Sequence, residues 1–468
     1  LDHPSLFPGE APAQSLGQRS RNAVWHPCTR LRPDDDALPL AIVRGEGPWL
    51  FDADGRRYFD ATSSWWVNLF GHANPRINAA LASQLETLEH VMLAGCTHAP
   101  AVELAERLSA LSGGALGNVF YASDGASAVE IALKMSFHYW RNTGLPAKRE
   151  FVCLRNGYHG ETVGALAVTD VEIFRDAYDA LIRRAHVVMS PDARQALRGE
   201  SAADVAARAL AELEALLRER AGQIAALIVE PLVQGAAGMA MHDPSYLDGA
   251  RALCDRYRVH LIADEIAVGC GRTGTFFAWE QSRGTDAALP AHAWPDFLCL
   301  SKGISGGYLP LSLVLSRPEI QRAFVADELA RSFLHSHSYT GNPLACRAAL
   351  ATLDLFEQDN VIEQNRERAR WLADAMAPLA ADERLQHVRQ RGLAWAADVR
   401  ADVAGADFSA RFHHAARARE LLVRPIGNTL YVLPPYVFDA AQAHWLGQQL
   451  LATLDDVTTT SAEVRHAA

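Results

Sequence analysis

LIADEIAVGCGRTGTFFAWE, residues 261–280, and PDFLCLSKGISGG, residues 295–307, decide how this chain is read. The apolar run 261–263 ends in Asp264 and Glu265, and the apolar run 297–300 ends in Ser301 and Lys302. Each reads as a buried parallel strand that delivers a charge at its C-terminal end, where open α/β sheets place their ligands. An acid on one strand end and a lysine on another is the pair that pyridoxal phosphate (PLP) chemistry needs. The amine joins an aldehyde as a Schiff base, and the carboxylate keeps a pyridine nitrogen protonated so that the ring accepts electrons. Either residue alone reads equally well as a solvated strand end. The pair, with Gly-Arg-Thr-Gly after one strand and Gly-Ile-Ser-Gly-Gly after the other, points to a site.

Outward from these two strands, apolar runs alternate with amphipathic stretches. Residues 118–123, 151–155, 186–189, 225–229 and 311–315 read as strands. Residues 74–88, 99–111, 126–140, 201–220 and 244–257 read as helices, with Ser201 and Asp204 spaced as a capping box. Such alternation predicts an α/β fold, a mostly parallel sheet with helices on both faces and right-handed crossovers. Residues 41–60 read as a small antiparallel unit turning at Asp54-Gly55. After residue 341, helices 344–358 and onward to about 380, short strands and a helix 407–421 predict a smaller α+β domain. The expected division is 1–68 (arm and part of the small domain), 69–340 (large PLP-binding domain) and 341–468 (C-terminal small domain). Residues 1–22 read as loop or arm, 34–36 as an acidic loop, 281–295 as a surface loop, and 457–468 as frayed.

The bulk numbers set outer limits. With 468 residues, 49% hydrophobic and 21% charged, the chain reads as globular, and a net charge of −11 argues against nucleic acid or an anionic membrane as the main partner. The seven cysteines are scattered without a CxxC pair, which predicts free thiols rather than a metal site. The first residues lack a signal-peptide pattern and no apolar run approaches a membrane span, so a cytoplasmic location is expected.

Four further motifs carry chemistry. Ser123-Asp124-Gly125-Ala126 joins a strand to a helix, where backbone N–H groups of Gly125 and Ala126 can hold a phosphate. Tyr158, in Asn-Gly-Tyr-His-Gly, stands at a strand end where an aromatic ring can stack on a heterocycle; Glu230 ends the strand before Asp264 and has no unique role. In residues 333–343, His335 and His337 lack the partners a metal would need, and hydroxyls and N–H groups gripping a phosphate read better. Arg424, in an apolar strand-like context, calls for a carboxylate partner, either a substrate or a structural acid. The pair Trp65-Trp66 suits a pocket wall as well as a packed aromatic cluster.

WHPCTR (25–30), SSWWVNLFGH (63–72), THAP (97–100), IALKMSFHYW (131–140), RNGYHGET (155–162), VEPLVQGAAGM (229–239), GNPLAC (341–346) and RPIGNTLYVLPPY (424–436), together with the opening stretch, resemble the class III (ω-amino acid type) aminotransferases of PLP fold type I, over about residues 24–455. The resemblance implies that Lys302 binds PLP covalently and shuttles a proton, that Asp264 pairs with the pyridinium nitrogen, that Tyr158 lies over the ring, and that Gly125 and Ala126 bind the phosphate. It implies that His337 and Ser338 reach the phosphate of a neighbouring subunit, giving a homodimer with shared active sites. Trp65, Arg272 and Ser336 would border the substrate pocket, with Arg424 holding a substrate carboxylate. The implied reaction is a ping-pong amination of 8-amino-7-oxononanoate to 7,8-diaminononanoate, a step of biotin biosynthesis. Cys28 stands where users of S-adenosylmethionine carry a tyrosine, and Ser336-His337-Ser338-Tyr339 stands where they carry Gly-Pro-Thr-Phe, nearer to a branch that takes its amino group from lysine. The amino donor is therefore open between S-adenosylmethionine and lysine. The competing readings are a class III aminotransferase for another ω-amino acid or diamine, a decarboxylase or aminomutase on the same scaffold, and a non-catalytic PLP-binding regulator.

Overall fold

A computed structural model describes residues 14–30, 38–285 and 287–466, the side chains of 459–466 excepted. Its centre is a seven-stranded sheet in the order Gly117–Ala122, Ser312–Ser316, Phe297–Leu300, His260–Asp264, Ile224–Val229, Glu150–Leu154, His186–Val188. The last five are mutually parallel, and Ser312–Ser316 runs antiparallel to both its neighbours. The strands that carry the key charges are therefore central and side by side, with Asp264 opposite Cys299.

The two-residue period of a strand explains the two cores. Ala226, Ile228, Ile262, Phe297, Cys299 and Val314 face one side, where Ala128, Val129 and Ala132 of the helix Gly125–Asn142 cover them. Leu227, Val229, Leu261, Ala263, Leu298 and Leu300 face the other side and join the main core, with the helices Ala202–Arg220 and Ser245–Tyr257. Truncating one of these, for example Leu261→Ala, costs about 2–5 kcal/mol. The Ser201–Asp204 capping box forms as expected, each residue's side chain bonding the other's backbone N–H.

The smaller sheets lie at the two ends of the chain and meet. Ile42–Glu46, Trp49–Asp52 and Arg57–Asp60 form an antiparallel meander, and Leu421–Leu422 adds to it in parallel beside Phe59 and Asp60. A second sheet, Leu385–Arg391, Ala394–Val399 and Thr429–Val432, carries the helices Val361–Ala380 and Ala440–His466.

Four local expectations change. Within the expected arm, Leu16–Ala23 is a helix whose first turn is capped by Ser15; residues 1–13 and the acidic loop 34–36 lie outside the described residues. The C-terminal helix does not fray at 457 but runs to His466, because Leu446, Leu450, Leu454 and Val457 recur at helical spacing and are buried. The segment 281–295 is not wholly a surface loop. Gln281, Ser282, Ala293 and Trp294 are buried, and Trp279 Nε1 donates to Ala293 O at 2.9 Å, which ties its end to the core. Arg424 lies beyond the end of the strand Leu421–Leu422 and is exposed, so burial does not demand a carboxylate. Its Nη2 donates instead to the backbone carbonyl of Cys28 at 3.0 Å.

Candidate active site

The C-terminal ends of the parallel strands open on a cavity of about 490 Å3. Ser123, Asp124, Gly125, Ala126, Tyr158, Glu230, Asp264 and Lys302 all line it, brought together from five separate turns. A larger cavity, about 620 Å3, lies on the outer face of the helix Gly125–Asn142 around Lys134, Phe137 and His335. It touches neither Asp264 nor Lys302; the pair singled out from sequence lies in the smaller one.

Lys302 opens a one-turn 3₁₀ helix, Lys302–Ser305, with a left-handed φ of 44°. A lysine at that φ is strained, and strained residues cluster at sites of function. Its amine lies 5.3 Å from the centroid of the Trp66 ring. Burial lowers its pKa below the ordinary lysine value, against the opposing pull of Asp264 and Glu230, which makes its proton easier to lose.

Asp264 ends its strand almost completely buried. Oδ2 accepts from His159 Nδ1 at 2.7 Å, and Oδ1 accepts from the backbone N–H of Ile266 at 3.1 Å. His159 therefore carries its proton on Nδ1, and its Nε2, also buried, has no partner. Sequence reading singled out Tyr158 and missed His159 beside it. Both line the cavity, but it is the His that bonds to the acid, while the Tyr hydroxyl bonds to Glu161. Glu230 acquires a definite place: Oε2 accepts from Tyr158 N at 3.1 Å and Oε1 from Gly235 N at 2.9 Å, a staple between two loops of the cavity. Burial first, and the Asp264 charge after it, push its pKa up to about 7.

Asp124 caps the helix Gly125–Asn142 by accepting from the N–H (2.9 Å) and hydroxyl (2.8 Å) of Ser127. The first-turn N–H groups of Gly125 and Ala126 have no helical partner and border the cavity. The fit around them is close. A Cβ on Gly125 would stand 3.1 Å from Ile266, and one on Gly160 would stand 2.5 Å from Ala126 Cβ. Tyr158 is half-buried, its hydroxyl donating to Glu161 Oε1 at 2.8 Å, and burial raises its pKa.

The opposite wall comes from the tryptophan pair. Ser63, Ser64, Trp65 and Trp66 have φ of 51°, 46°, 70° and 73°, and the N–H groups of Trp66 and Val67 bond to the carbonyls of Thr62 and Ser63. This is one turn of left-handed α-helix made without glycine, at about 1–2 kcal/mol per residue. Trp66 is buried, lines the cavity and points its Nε1 at Tyr431 Oη, 3.3 Å away; Trp65 is 52% exposed.

The remaining residues singled out from sequence lie outside this lining. Arg272 is buried behind Trp66, donating to Pro434 O (2.7 Å) and Ser63 Oγ (3.3 Å) and stacking over Tyr436, and burial lowers its pKa. Arg424 stands at the surface near Tyr431, on the arm residue Cys28. Ser336 and Ser338 are exposed, and the backbone N–H of His337 bonds to Thr340 Oγ1 at 2.9 Å. Among the described residues no group of three or more His, Cys, Asp or Glu is placed to hold a metal, and no helix is long and apolar enough to cross a membrane. All seven cysteines are free.

Comparison with known proteins gives a consistent answer. The family described as "Aminotransferase class-III" matches residues 31–454. The chain is 40% identical over 450 residues to adenosylmethionine-8-amino-7-oxononanoate aminotransferase of Helicobacter pylori, covering 95% of this chain and 98% of that one. It is 36% identical over 454 residues to the enzyme of that name from Geobacter sulfurreducens, again covering 95% and 98%. Among solved structures, the adenosylmethionine-8-amino-7-oxononanoate aminotransferase of Methanocaldococcus jannaschii superposes with a TM-score of 0.85 at 32% identity, covering 94% of this chain and 98% of that one. An amine transaminase from an uncultivated Pseudomonas species, in its PLP-bound form, gives 0.86 at 31% identity, covering 93% and 99%.

Proposed function

The chain belongs to the class III aminotransferases, PLP-dependent enzymes of fold type I, and from that premise we propose that it aminates 8-amino-7-oxononanoate to 7,8-diaminononanoate in biotin biosynthesis. The observation that carries the reading is the half-buried Lys302, its amine set over Trp66 in the cavity that also holds Asp264 and the open helix N-terminus at Gly125.

The residues present fit PLP. Asp264 keeps acceptor capacity beyond its two bonds, Gly125 and Ala126 offer unpaired N–H groups, and the glycines leave room that a side chain would fill. When bound, PLP supplies an aldehyde that reacts with amines and a ring that takes up electrons. The chain's own residues then divide the work. Lys302, whose proton burial makes easier to lose, gives its Nζ as nucleophile and afterwards as a base and acid for one carbon-bound proton. Asp264, oriented by the His159 N–H, would hold positive charge at the ring nitrogen, and Gly125 and Ala126 would hold the phosphate. Tyr158 would stack on the ring, and Trp66 would exclude water from the cavity. Arg424, free to leave a backbone carbonyl, takes the carboxylate of the keto acid at the mouth, with Trp65 and Ser336 beside it. His337 and Ser338 belong to the phosphate site of a second copy, so the working unit is a homodimer. The enzyme works in the cytoplasm on small-molecule substrates alone.

S-adenosylmethionine is the proposed amino donor. Lysine is the second reading, favoured by Cys28. A thiol there offers neither the stacking surface nor the hydrogen bond of a phenol. The test is a half-reaction followed by absorbance. Holoenzyme should lose its PLP band with S-adenosylmethionine alone and regain it on adding 8-amino-7-oxononanoate. Bleaching by lysine alone would move the donor. Failure of the keto acid to restore the band would overturn the acceptor.

A further inference from the structure

A left-handed turn at Ser63–Trp66 is held only if its surroundings over-determine it. Ser63 bonds to Leu433 O and Arg272, and Trp66 to Tyr431; the holder of Ser64 is a carboxylate. Asp60 is completely buried at the end of its strand. Its Oδ1 accepts from Ser64 N at 2.8 Å, and its Oδ2 accepts from Ser64 Oγ at 2.6 Å and His72 Nε2 at 3.0 Å. Asn68 Nδ2 donates to His72 Nδ1 at 3.1 Å, which leaves Nε2 as the protonated nitrogen facing Asp60. His72 is itself clamped. Its backbone exchanges two hydrogen bonds with Gly47, and a Cβ on Gly45 would stand 2.5 Å from His72 Cβ. Asp60 and His72 thus bracket the turn from both ends of the segment 60–72.

Asn68 and Leu69, just after the turn, pack directly on the lysine loop. A Cβ on Gly303 would be 2.9 Å from Leu69 Cδ1, and one on Gly307 would be 2.8 Å from Asn68 Cα. On the far side, a Cβ on Gly235 would be 2.9 Å from the Trp66 ring. Trp66 and the Lys302 loop share this backing without slack, so a shift of the turn moves the amine and the wall together.

We infer that Asp60 and His72 are positioning residues of the active site: through the left-handed turn they set the Trp66 ring and the Lys302 loop against each other, and with them the fit of the acceptor. Neither residue lines the cavity, so neither touches substrate. The inference rests on this cavity being the aminotransferase site, not on the identity of the acceptor.

The test compares His72→Ala with His72→Gln, whose amide can donate to Asp60. In His72→Ala the keto-acid kcat/KM should fall by roughly 10- to 100-fold, the range for lost orienting contacts, and His72→Gln should recover to within about 3-fold. The near-UV circular dichroism contribution of Trp66, isolated as wild type minus Trp66→Phe, should be lost in His72→Ala apoprotein and kept in His72→Gln. Should His72→Ala fail to fold, Ser64→Ala removes one of the Asp60 bonds while leaving the buried pair intact, and should show the same two changes in smaller measure. A lowered Tm with the Trp66 signal and kcat/KM unchanged would overturn the inference. If wild type does not turn over 8-amino-7-oxononanoate yet His72→Ala still loses the Trp66 signal, the acceptor reading fails and the positioning role stands.

Discussion

The two walls of the cavity are built by opposite means. The sheet wall, with Gly125, Tyr158, Glu230, Asp264 and Lys302, hangs from the ends of regular strands whose alternate residues are buried on both faces. The facing wall, Trp66 on its left-handed turn, is held by a few side-chain bonds, Ser64 to Asp60, Arg272 to Ser63 and Trp66 to Tyr431. The first wall gets its geometry from backbone hydrogen bonds that many residues share. The second concentrates it in a few side-chain contacts, and so is the more easily disturbed by one substitution. The first serves chemistry common to the family. The second, in the proposed function, faces the substrate.

That contrast can be broken at four points. Removing the amine on the sheet wall, Lys302→Ala, should lower turnover by about 10⁴-fold or more with the fold intact, since both nucleophile and proton carrier are lost. Near wild-type single-turnover rates would remove Lys302 from the mechanism. On the substrate side, Arg424→Ala should weaken only the keto-acid half-reaction, by roughly 2–5 kcal/mol in kcat/KM. An equal loss in the donor half-reaction would show that the arginine is not selective for the acceptor. Gly235→Ala places a methyl 2.9 Å from the Trp66 ring. It should raise the acceptor KM about 10-fold, because a packed ring yields only by moving. A KM unchanged in steady-state assays would show that the Trp66 wall tolerates displacement.

The last point is on the sheet itself and is set by pH. Burial lowers the pKa of His260 to about 4, with its Nδ1 bonded to Ser136 Oγ at 2.9 Å and its ring stacked on Trp140. In the unfolded chain it takes up its proton near the ordinary value of 6.5. Between these values the unfolded state binds more protons, so the stability present above pH 6.5 is lost as pH falls towards 4, by on the order of 3 kcal/mol. Urea unfolding from pH 7 to pH 4 checks this against His260→Gln, which should show a shallower slope. Equal slopes would assign the acid sensitivity to other groups.

The sheet wall was legible for the reason it is robust. A strand end is announced by an apolar run that stops, and a charge or glycine after it has few other places to go, so Asp264, Lys302, Gly125 and Tyr158 could be picked out one strand at a time. His159 was not, because its role depends on which way one turn faces. The facing wall was legible only as composition. Two tryptophans after two serines suggest a pocket, but nothing in Ser-Ser-Trp-Trp announces a left-handed turn, and it is Trp66 rather than Trp65 that lines the cavity. Arg424 was read as buried from its apolar neighbours, whereas the chain leaves the sheet just before it and the side chain stands at the surface.

By itself, then, the sequence determined the α/β architecture, the strand ends that line the cavity and the family, because each is written in short-range patterns of burial and turn. Only the tertiary structure decided which tryptophan forms the wall, that Asp60 and His72 stand behind it, and that Arg424 leans on Cys28. Those contacts join residues 60–72 to 303–307 and residue 28 to residue 424. No local pattern encodes a pairing whose partners are far apart in the chain and whose backbone conformation the residues would not adopt alone.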